Sequence, residues 1–163
     1  MPDMLVSLLD LPPLEPMLSD LRAQQIILRR AFPFEITPTR TFIQEHFGAG
    51  WADEVSVGFA NKPVSVCLAL EEKGERRRIV GFSAYECTCR NFFGPTGVAE
   101  SHRKRGIGRA LLIAALHGLR ELGYAYGIIG GAGPSTFYSK SVGAIPIEGS
   151  VPGIYRDMLS GAD

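Results

Sequence analysis

The sequence is poor in cysteine, and its few cysteines are badly placed for a metal site or a disulfide framework. Three cysteines among 163 residues are an odd number, which argues against structural disulfides and favours a reducing, cytoplasmic location. Cys87 and Cys89 lack the second pair of ligands that a zinc site requires. We therefore predict a protein without a metal or structural disulfides.

Long apolar runs and surplus charge are missing as well. No apolar stretch is long enough to cross a bilayer, and residues 1–10 lack the basic region of a signal peptide. Lysine plus arginine and aspartate plus glutamate each number 17, so the formal net charge is +0. A protein that coats nucleic acid is expected to be strongly basic. The composition thus predicts neither a membrane protein nor a nucleic-acid-binding protein.

The most informative stretch, residues 98–112, has the pattern of a strand end, a basic turn and the start of a long apolar helix. Its turn is Arg103-Lys104-Arg105-Gly106-Ile107-Gly108. Glycine lets a backbone approach a ligand closely, and the unpaired N–H groups at a helix start attract anions. The stretch predicts a site for a cofactor with a pyrophosphate group, although Gly-x-Gly turns with a purely packing role are also common.

The apolar pattern of the whole chain predicts a mixture of strands and helices. Residues 4–11 fit either a short strand or a covering arm. Helices are expected at residues 14–25, from an N-cap at Thr37, and at 51–60, 106–122 and 134–142. Strands are expected at residues 26–28, 64–70, 79–90, 92–99, 125–129, 144–147 and 154–158, with a polar turn at 71–78 and the last two strands paired. This order predicts one α/β or α+β domain, a central sheet with helices on its faces.

The strand expected at residues 92–99 has an unusual composition. It contains Gly94, Pro95 and Gly97, which indicate a bulge or an opened ladder. A strand whose pairing is interrupted keeps backbone groups that can bind a ligand.

Two separated motifs resemble those of the GNAT superfamily of acyl-CoA-dependent N-acyltransferases. Residues 103–108 match the Gln/Arg-x-x-Gly-x-Gly/Ala turn of that family in full, between a strand end and a long helix. The second motif, similar to the family's Phe-Tyr-x-Lys-x-Gly-Phe stretch, is Phe137-Tyr138-Ser139-Lys140-Ser141-Val142-Gly143-Ala144. The resemblance divides the chain into an N-terminal arm and helix, residues 1–25, packed on an N-acetyltransferase domain, residues 26–163.

The resemblance implies a single domain with a mostly antiparallel, twisted sheet of about six to seven strands, a splayed central strand pair and helices on both faces. It implies acetyl-CoA as the co-substrate, with the Val98 backbone pairing with the pantetheine amides and N–H groups of residues 103–109 holding the pyrophosphate. The residues expected to bind acetyl-CoA are Val98, Ala99, Arg103, Lys104, Arg105, Gly106, Ile107, Gly108, Arg109 and Tyr138.

Acyl transfer to an amine needs a neutral amine, a donor for the oxyanion and an acid for the departing sulfur. By resemblance, the phenol of Tyr138 is the acid and the N–H of Val98 is the oxyanion donor. The resemblance does not settle the base, because residues 92–99 contain no carboxylate. Glu86 on the preceding strand is our first candidate, directly or through water, and Glu100 is the second.

Other assignments are weaker. A covalent acyl-cysteine at Cys87 or Cys89 is disfavoured because no histidine is near them in sequence. The neighbouring carboxylates Asp53 and Glu54 fit either solvent or a substrate cleft, and solvent is favoured. A dinucleotide fingerprint is incomplete, since Leu111 stands where a third glycine belongs.

The acceptor of the acetyl group is predicted only as a class. It is an amine-bearing small molecule or an amine of a peptide or protein, and a homodimer is compatible with the apolar stretches at both ends. A non-catalytic acyl-CoA sensor or interaction module on the same fold is the alternative function.

Overall fold

The computed structural model describes residues 1–156, 158 and 159. Within them the strands are β1 (Met4–Ser7), β2 (Ile26–Arg30), β3 (Val66–Lys73), β4 (Arg76–Tyr85), β5 (Phe92–Val98), β6 (Tyr126–Ile129) and β7 (Ile145–Pro146). The helices are α1 (Glu15–Ala23), α2 (Ile36–Phe47), α3 (Ala49–Ala60), α4 (Ile107–Glu121) and α5 (Ser135–Val142). The strands form one seven-stranded sheet in the order β2-β3-β4-β5-β6-β1-β7. All neighbours are antiparallel except β5 and β6, so the predicted mixed, mostly antiparallel fold is confirmed.

Helices cover both faces of the sheet, as the sequence predicts. Strand β3 is apolar without alternation because both of its sides are buried: Leu68 packs with α2 and α3, whereas Cys67 packs with α1 and α4. Among the described residues, every helix is too short or too polar to span a bilayer.

Helix α4 contributes more buried residues than any other described helix. Its Ile107, Leu111, Leu112 and Ala115 are almost fully buried against the sheet, as expected of a long apolar helix, whereas Leu122 just after it is exposed. Gly123 follows the helix at φ 99°, the left-handed region that glycine tolerates, and ends it where expected.

Strand β1 lies within the sheet. Its four residues pair with β6 on one side, and Met4 and Leu5 also pair with β7 on the other. Of the two alternatives for residues 4–11, the strand is confirmed. The division of the chain at residue 25 stays a prediction.

The parallel pair β5–β6 is joined at only two positions, Phe92 with Ile128 and Phe93 with Ile129. Beyond Phe93, strand β5 continues to Val98 beside β4 alone, after a register shift between Ser83 and Tyr85 of β4. The implied splayed pair is therefore present. Because β6 ends where β5 continues, one edge of β5 is left without a partner strand.

Several predicted boundaries are wrong, each for a local reason. Thr37 is not an N-cap, because a 3₁₀ turn at Pro33–Glu35 runs directly into α2 one residue before it. Residues 71–78 are mostly strand, since cross-strand pairs between β3 and β4 extend as far as Lys73 with Arg76. Strand β4 ends at Tyr85, so residues 86–90 are not strand, and Glu86 adopts a positive φ of 58°.

The predicted closing pair of strands is also wrong. Residues 145 and 146 pair with β1 and not with residues 154–158. Gly153–Tyr155 form a 3₁₀ turn, and Asp157 lies outside the described residues. Two prolines and two glycines at positions 146–153 favour turns over a hairpin ladder.

Candidate functional site

A basic turn, residues 103–109, precedes α4 and has a tightly defined backbone. A 3₁₀ turn at Glu100–His102 leads into it, Lys104 has φ 63° and Gly106 has φ 81°. Gly106 is the N-cap of α4, in the left-handed conformation. The turn thus aims the chain into the helix through a conformation that glycine adopts without strain.

Backbone donors of this turn are free. Within residues 1–156 and 158–159, no protein acceptor pairs with the N–H groups of residues 104–109, and the first bond of the helix runs from the Ala110 N–H to the Gly106 carbonyl at 3.1 Å. Free N–H groups at the start of a 15-residue helix, with its partial positive charge, favour an anion.

The two glycines of the turn serve different needs. Gly106 is required by its positive φ, whereas Gly108 has no such requirement. A Cβ built on Gly108 meets only Cγ2 of Val98, at an ordinary 3.7 Å. The protein itself therefore leaves open the space beside Gly108, as a closely approaching ligand would need.

Arg105 connects the basic turn to Gln24, the residue that follows helix α1. Its Nε donates to Oε1 of Gln24 and its Nη2 to the Gln24 carbonyl, both at 3.2 Å. The Gln24 amide in turn donates to the Arg105 carbonyl at 3.4 Å. The guanidinium is thus directed at the end of α1, while Lys104 and Arg109 remain exposed.

A buried pair supports the turn from below. His102 is 5% exposed, and its Nε2 lies 3.1 Å from Oε1 of Glu71 on β3. The other imidazole nitrogen lies 2.8 Å from Oγ of Ser101. The hydrogen bond from His102, followed by that from Arg78, lowers the pKa of Glu71 to about 2. No sequence pattern pointed to this pair, whose members are 31 positions apart.

Val98 presents its backbone to the unpaired edge of β5. The next residue, Ala99, donates its N–H to the Val80 carbonyl of β4 at 2.9 Å, so alternation in the antiparallel ladder turns the Val98 N–H and C=O away from β4. Among the described residues, the Val98 carbonyl accepts only a long bond from Nε of Arg103, at 3.4 Å. Val98 therefore has the free edge that was predicted, whereas the N–H of Ala99 is already used.

A cavity of about 410 Å³ opens where β5 and β6 diverge. We call it the divergence cavity. Its floor is formed by Phe93, Gly94 and Pro95 of β5 and by Gly130 and Gly131 after β6. Its walls include Trp51 and Glu54 of α3, with Tyr155 and Thr88. Helix α3 covers the face of the sheet opposite to α4, so the cavity and the basic turn lie on opposite sides of the same gap.

Glu54 lines the divergence cavity, although we had favoured exposure to solvent as the prediction for this side chain. The side chain is half-buried and accepts a hydrogen bond from the hydroxyl of Thr88. Its neighbour Asp53 does face solvent, where it pairs with Arg40 at 2.7 Å. The two carboxylates differ because one helix position separates them by about 100° around α3.

Tyr138 lies in α5 and is 7% exposed. Its ring packs edge-on against Phe93, with the ring centres 6.2 Å apart, and Phe93 also lines the divergence cavity. Burial raises the pKa of the Tyr138 phenol above its ordinary value, so the group keeps its proton at neutral pH. Burial alone accounts for the shift, and the hydroxyl has no hydrogen-bond partner among the described residues.

The two carboxylates first considered as bases lie elsewhere. Glu86 lines a separate polar cavity with Asn61 and Arg90, and its carboxylate accepts the N–H of Asn91. Glu100 is exposed in the 3₁₀ turn before the basic turn. Neither residue lines the divergence cavity.

Cysteine and metal chemistry gain no support from the geometry. Burial raises the pKa of the Cys87 thiol to about 11, so the thiol is protonated at neutral pH, and it donates to the Tyr85 carbonyl at 3.4 Å. Among the described residues, no three His, Cys, Asp or Glu side chains converge as a metal site would require.

Comparison with known proteins gives matches in structure only. No protein-family model matches the sequence, and no curated protein does so either. The GCN5-related glucosamine N-acetyltransferase region of a fungal multi-domain GH3 β-N-acetylglucosaminidase superimposes with a TM-score of 0.71, at 17% identity over 90% of this chain and 19% of that chain.

Two further structures are similar over the same extent. A GCN5-related N-acetyltransferase from Sphaerobacter thermophilus has a TM-score of 0.64, at 20% identity over 90% of this chain and 48% of that one. A Drosophila protein has a TM-score of 0.62, at 12% identity over 90% and 47%. This chain thus spans less than half the length of each of the three structures. At these identities the likeness concerns the fold: the chain has the fold of the GCN5-related N-acetyltransferases, as its two motifs predicted.

Proposed function

We propose that the protein is an N-acetyltransferase that transfers an acetyl group from acetyl-CoA to a primary amine. One observation carries the proposal: the free N–H groups of residues 104–109 and the unpaired edge of β5 border the same gap in the sheet. A pyrophosphate suits the first feature, and an extended amide chain suits the second. Coenzyme A contains both groups in sequence.

The residues present fit this co-substrate. The N–H groups of residues 104–109 hold the pyrophosphate, and Gly108 keeps its approach open. The Val98 C=O accepts a hydrogen bond from a pantetheine amide, and the exposed Arg103 side chain exchanges its long bond to Val98 for the phosphates. Arg105 has a positioning role, since its guanidinium is engaged with Gln24.

The reaction joins the amine nitrogen to the acetyl carbon and breaks the bond between that carbon and sulfur. The ammonium nitrogen loses two protons in all: one goes to the solvent before the attack, and the other restores the acid that has protonated the departing sulfur, so atoms and charges balance. Tyr138 is the proposed proton donor to the sulfur, because its buried phenol retains its proton and its hydroxyl has no partner in the described part of the chain. The Val98 N–H is the proposed donor to the oxyanion.

Glu86 has no part in this proposal. Its carboxylate is occupied by the Asn91 N–H, and it lines a different cavity. That leaves the alternative of a non-catalytic acyl-CoA sensor, which the lack of a carboxylate on β5 favours.

Calorimetric titration with acetyl-CoA, followed by a free-thiol assay against pooled amines, separates the alternatives. We expect binding and amine-dependent thiol release. Acetyl phosphate, which lacks the nucleotide and pantetheine, is the control and should not bind. Binding without thiol release from any amine identifies the sensor, and absence of binding refutes both functions.

A further inference from the structure

The walls of the divergence cavity are mainly apolar and aromatic. Trp51 and Tyr155 line it while remaining 41% and 42% exposed, and Phe93 and Pro95 form its floor. Large aromatic side chains left exposed around a concave site are typical of ligand-binding surfaces. A volume of about 410 Å³ suits a small molecule.

The charged side chains of the cavity have one sign. Glu54 is the one charged side chain among its lining residues in the described part of the chain, and no lysine, arginine or histidine lines it. The Thr88 hydroxyl donates to the carboxylate and fixes its direction. Asp3, close by, is already engaged, because its Oδ1 accepts the Gly131 N–H at 2.8 Å. The cavity therefore offers one negative charge next to a largely apolar wall.

We propose that the acceptor is a primary amine with a single positive charge on a compact, planar, apolar body, of the 2-arylethylamine type. Glu54 binds the ammonium group, and Trp51 and Tyr155 enclose the ring. This inference rests on the proposed acetyl transfer and concerns the acceptor alone.

The same lining disfavours other acceptors. An amino acid would bring a carboxylate with no cation to meet it, and burial of an unpaired charge is costly. A polyamine would bring several ammonium groups to one carboxylate. A sugar amine such as glucosamine, the acceptor of the similar fungal N-acetyltransferase region, needs more hydrogen-bonding side chains than Glu54, Thr88 and Tyr155 supply.

The test compares four amines with acetyl-CoA at a fixed, saturating concentration: 2-phenylethylamine, phenylalanine, spermidine and glucosamine. We expect 2-phenylethylamine to have the highest kcat/KM, and phenylalanine, which adds only a carboxylate, to be at least about tenfold lower. 2-Phenylethylamine should also raise the melting temperature of the protein saturated with CoA, which is a readout independent of turnover.

Glu54→Gln and Asp53→Asn form a matched pair, since each removes one negative charge from α3. We expect Glu54→Gln to raise the KM for 2-phenylethylamine about 10- to 100-fold, as for a lost hydrogen bond between charged groups. It should also abolish the stabilisation by 2-phenylethylamine, whereas Asp53→Asn should change neither quantity.

The outcomes separate the two proposals. Failure of acetyl-CoA to bind refutes the acetyltransferase. Efficient acetylation of glucosamine, spermidine or phenylalanine in preference to 2-phenylethylamine leaves the acetyltransferase standing and refutes the proposed acceptor class. Equal KM values for Glu54→Gln and Asp53→Asn would show that Glu54 does not bind the ammonium group.

Discussion

The basic turn comes from one continuous segment, residues 103–109, whereas the divergence cavity takes its walls from α3, β5, the loop after β6 and residues 151–155. The turn uses backbone groups and needs only glycines and a helix start. The cavity uses side chains that come together through the fold. The turn can therefore be recognised as a sequence motif. The cavity cannot, because its residues are far apart in the sequence. We therefore expect changes to the turn to affect binding of the co-substrate, and changes in or near the cavity to affect binding of the acceptor or turnover.

Gly108→Asp should have the largest effect. A carboxylate placed in the open space beside the turn repels a phosphate, and we expect acetyl-CoA affinity to fall at least about 100-fold. An aspartate in the first turn of a helix is itself favourable, so the fold should be retained. Gly50→Asp, also at an open position in the first turn of a helix, is the control and should bind normally. Calorimetry measures both, and unchanged binding to Gly108→Asp would move the site elsewhere.

Tyr138→Phe should separate turnover from binding. Loss of a general acid typically costs about 100-fold or more in kcat, and the phenyl ring preserves the packing against Phe93. Acetyl-CoA affinity should change little. Tyr124→Phe removes a hydroxyl from a residue packed against the same apolar cluster and should leave kcat unchanged. Wild-type turnover by Tyr138→Phe would exclude this phenol as the acid.

Replacing the two glycines of the basic turn with alanine, one at a time, should change the free energy of unfolding in opposite directions. Gly106→Ala forces a Cβ into the left-handed region and should lower the free energy of unfolding by about 1–2 kcal/mol. Gly108→Ala should raise it by up to about 1 kcal/mol, because alanine favours the helix and meets no close atom. Only Gly108→Ala should then weaken acetyl-CoA binding without loss of stability. Equal destabilisation by both would mean that the protein itself needs Gly108. Urea denaturation measures the change.

The hydrogen-bonded pair of His102 and Glu71 beneath the basic turn should make a small contribution to the free energy of unfolding, and this contribution should be lost in acid. The pKa of Glu71 is lowered to about 2 from 4.5, chiefly by its hydrogen bond to His102. Its contribution to stability is therefore complete above pH 4.5, falls as the pH drops from 4.5 towards 2, and is gone below that. The difference in stability between wild type and Glu71→Gln should shrink over this range. Urea denaturation at a series of pH values across this range measures the difference, and a constant difference would mean that the pair does not stabilise the protein.

The fold could be predicted where local pattern and tertiary environment agree. The apolar stripe of α4 and the glycine after it suffice to define that helix. The pattern failed at Glu71 and Arg78, charged residues that occupy strand positions because they pair across the β3–β4 ladder. It failed again at residues 154 and 155, whose apolar side chains mark a turn beside the divergence cavity and not a strand.

The candidate site also has one part that could be predicted from the sequence and one part that could not. The basic turn and Tyr138 lie within recognisable motifs, and the structure gives the turn its free N–H groups. Glu54 carries no such signal, because an acidic residue on a helix is usually exposed, as Asp53 is. Only the packing of α3 over β5 decides which of the two carboxylates faces the cavity. The pair of His102 and Glu71 was missed for a related reason, since each looks like an ordinary surface residue in sequence.

The position of β1 inside the sheet has a consequence for biosynthesis. Met4 pairs with Ile129, so β1 leaves the ribosome well before the strand β6 that it pairs with. At about 5–20 residues per second this delay is on the order of ten seconds. Throughout it Val6 and Leu8, fully buried in the finished protein, lack the β6 side of their apolar cluster. The nascent chain therefore exposes an apolar segment to solvent or to a chaperone until β6 emerges.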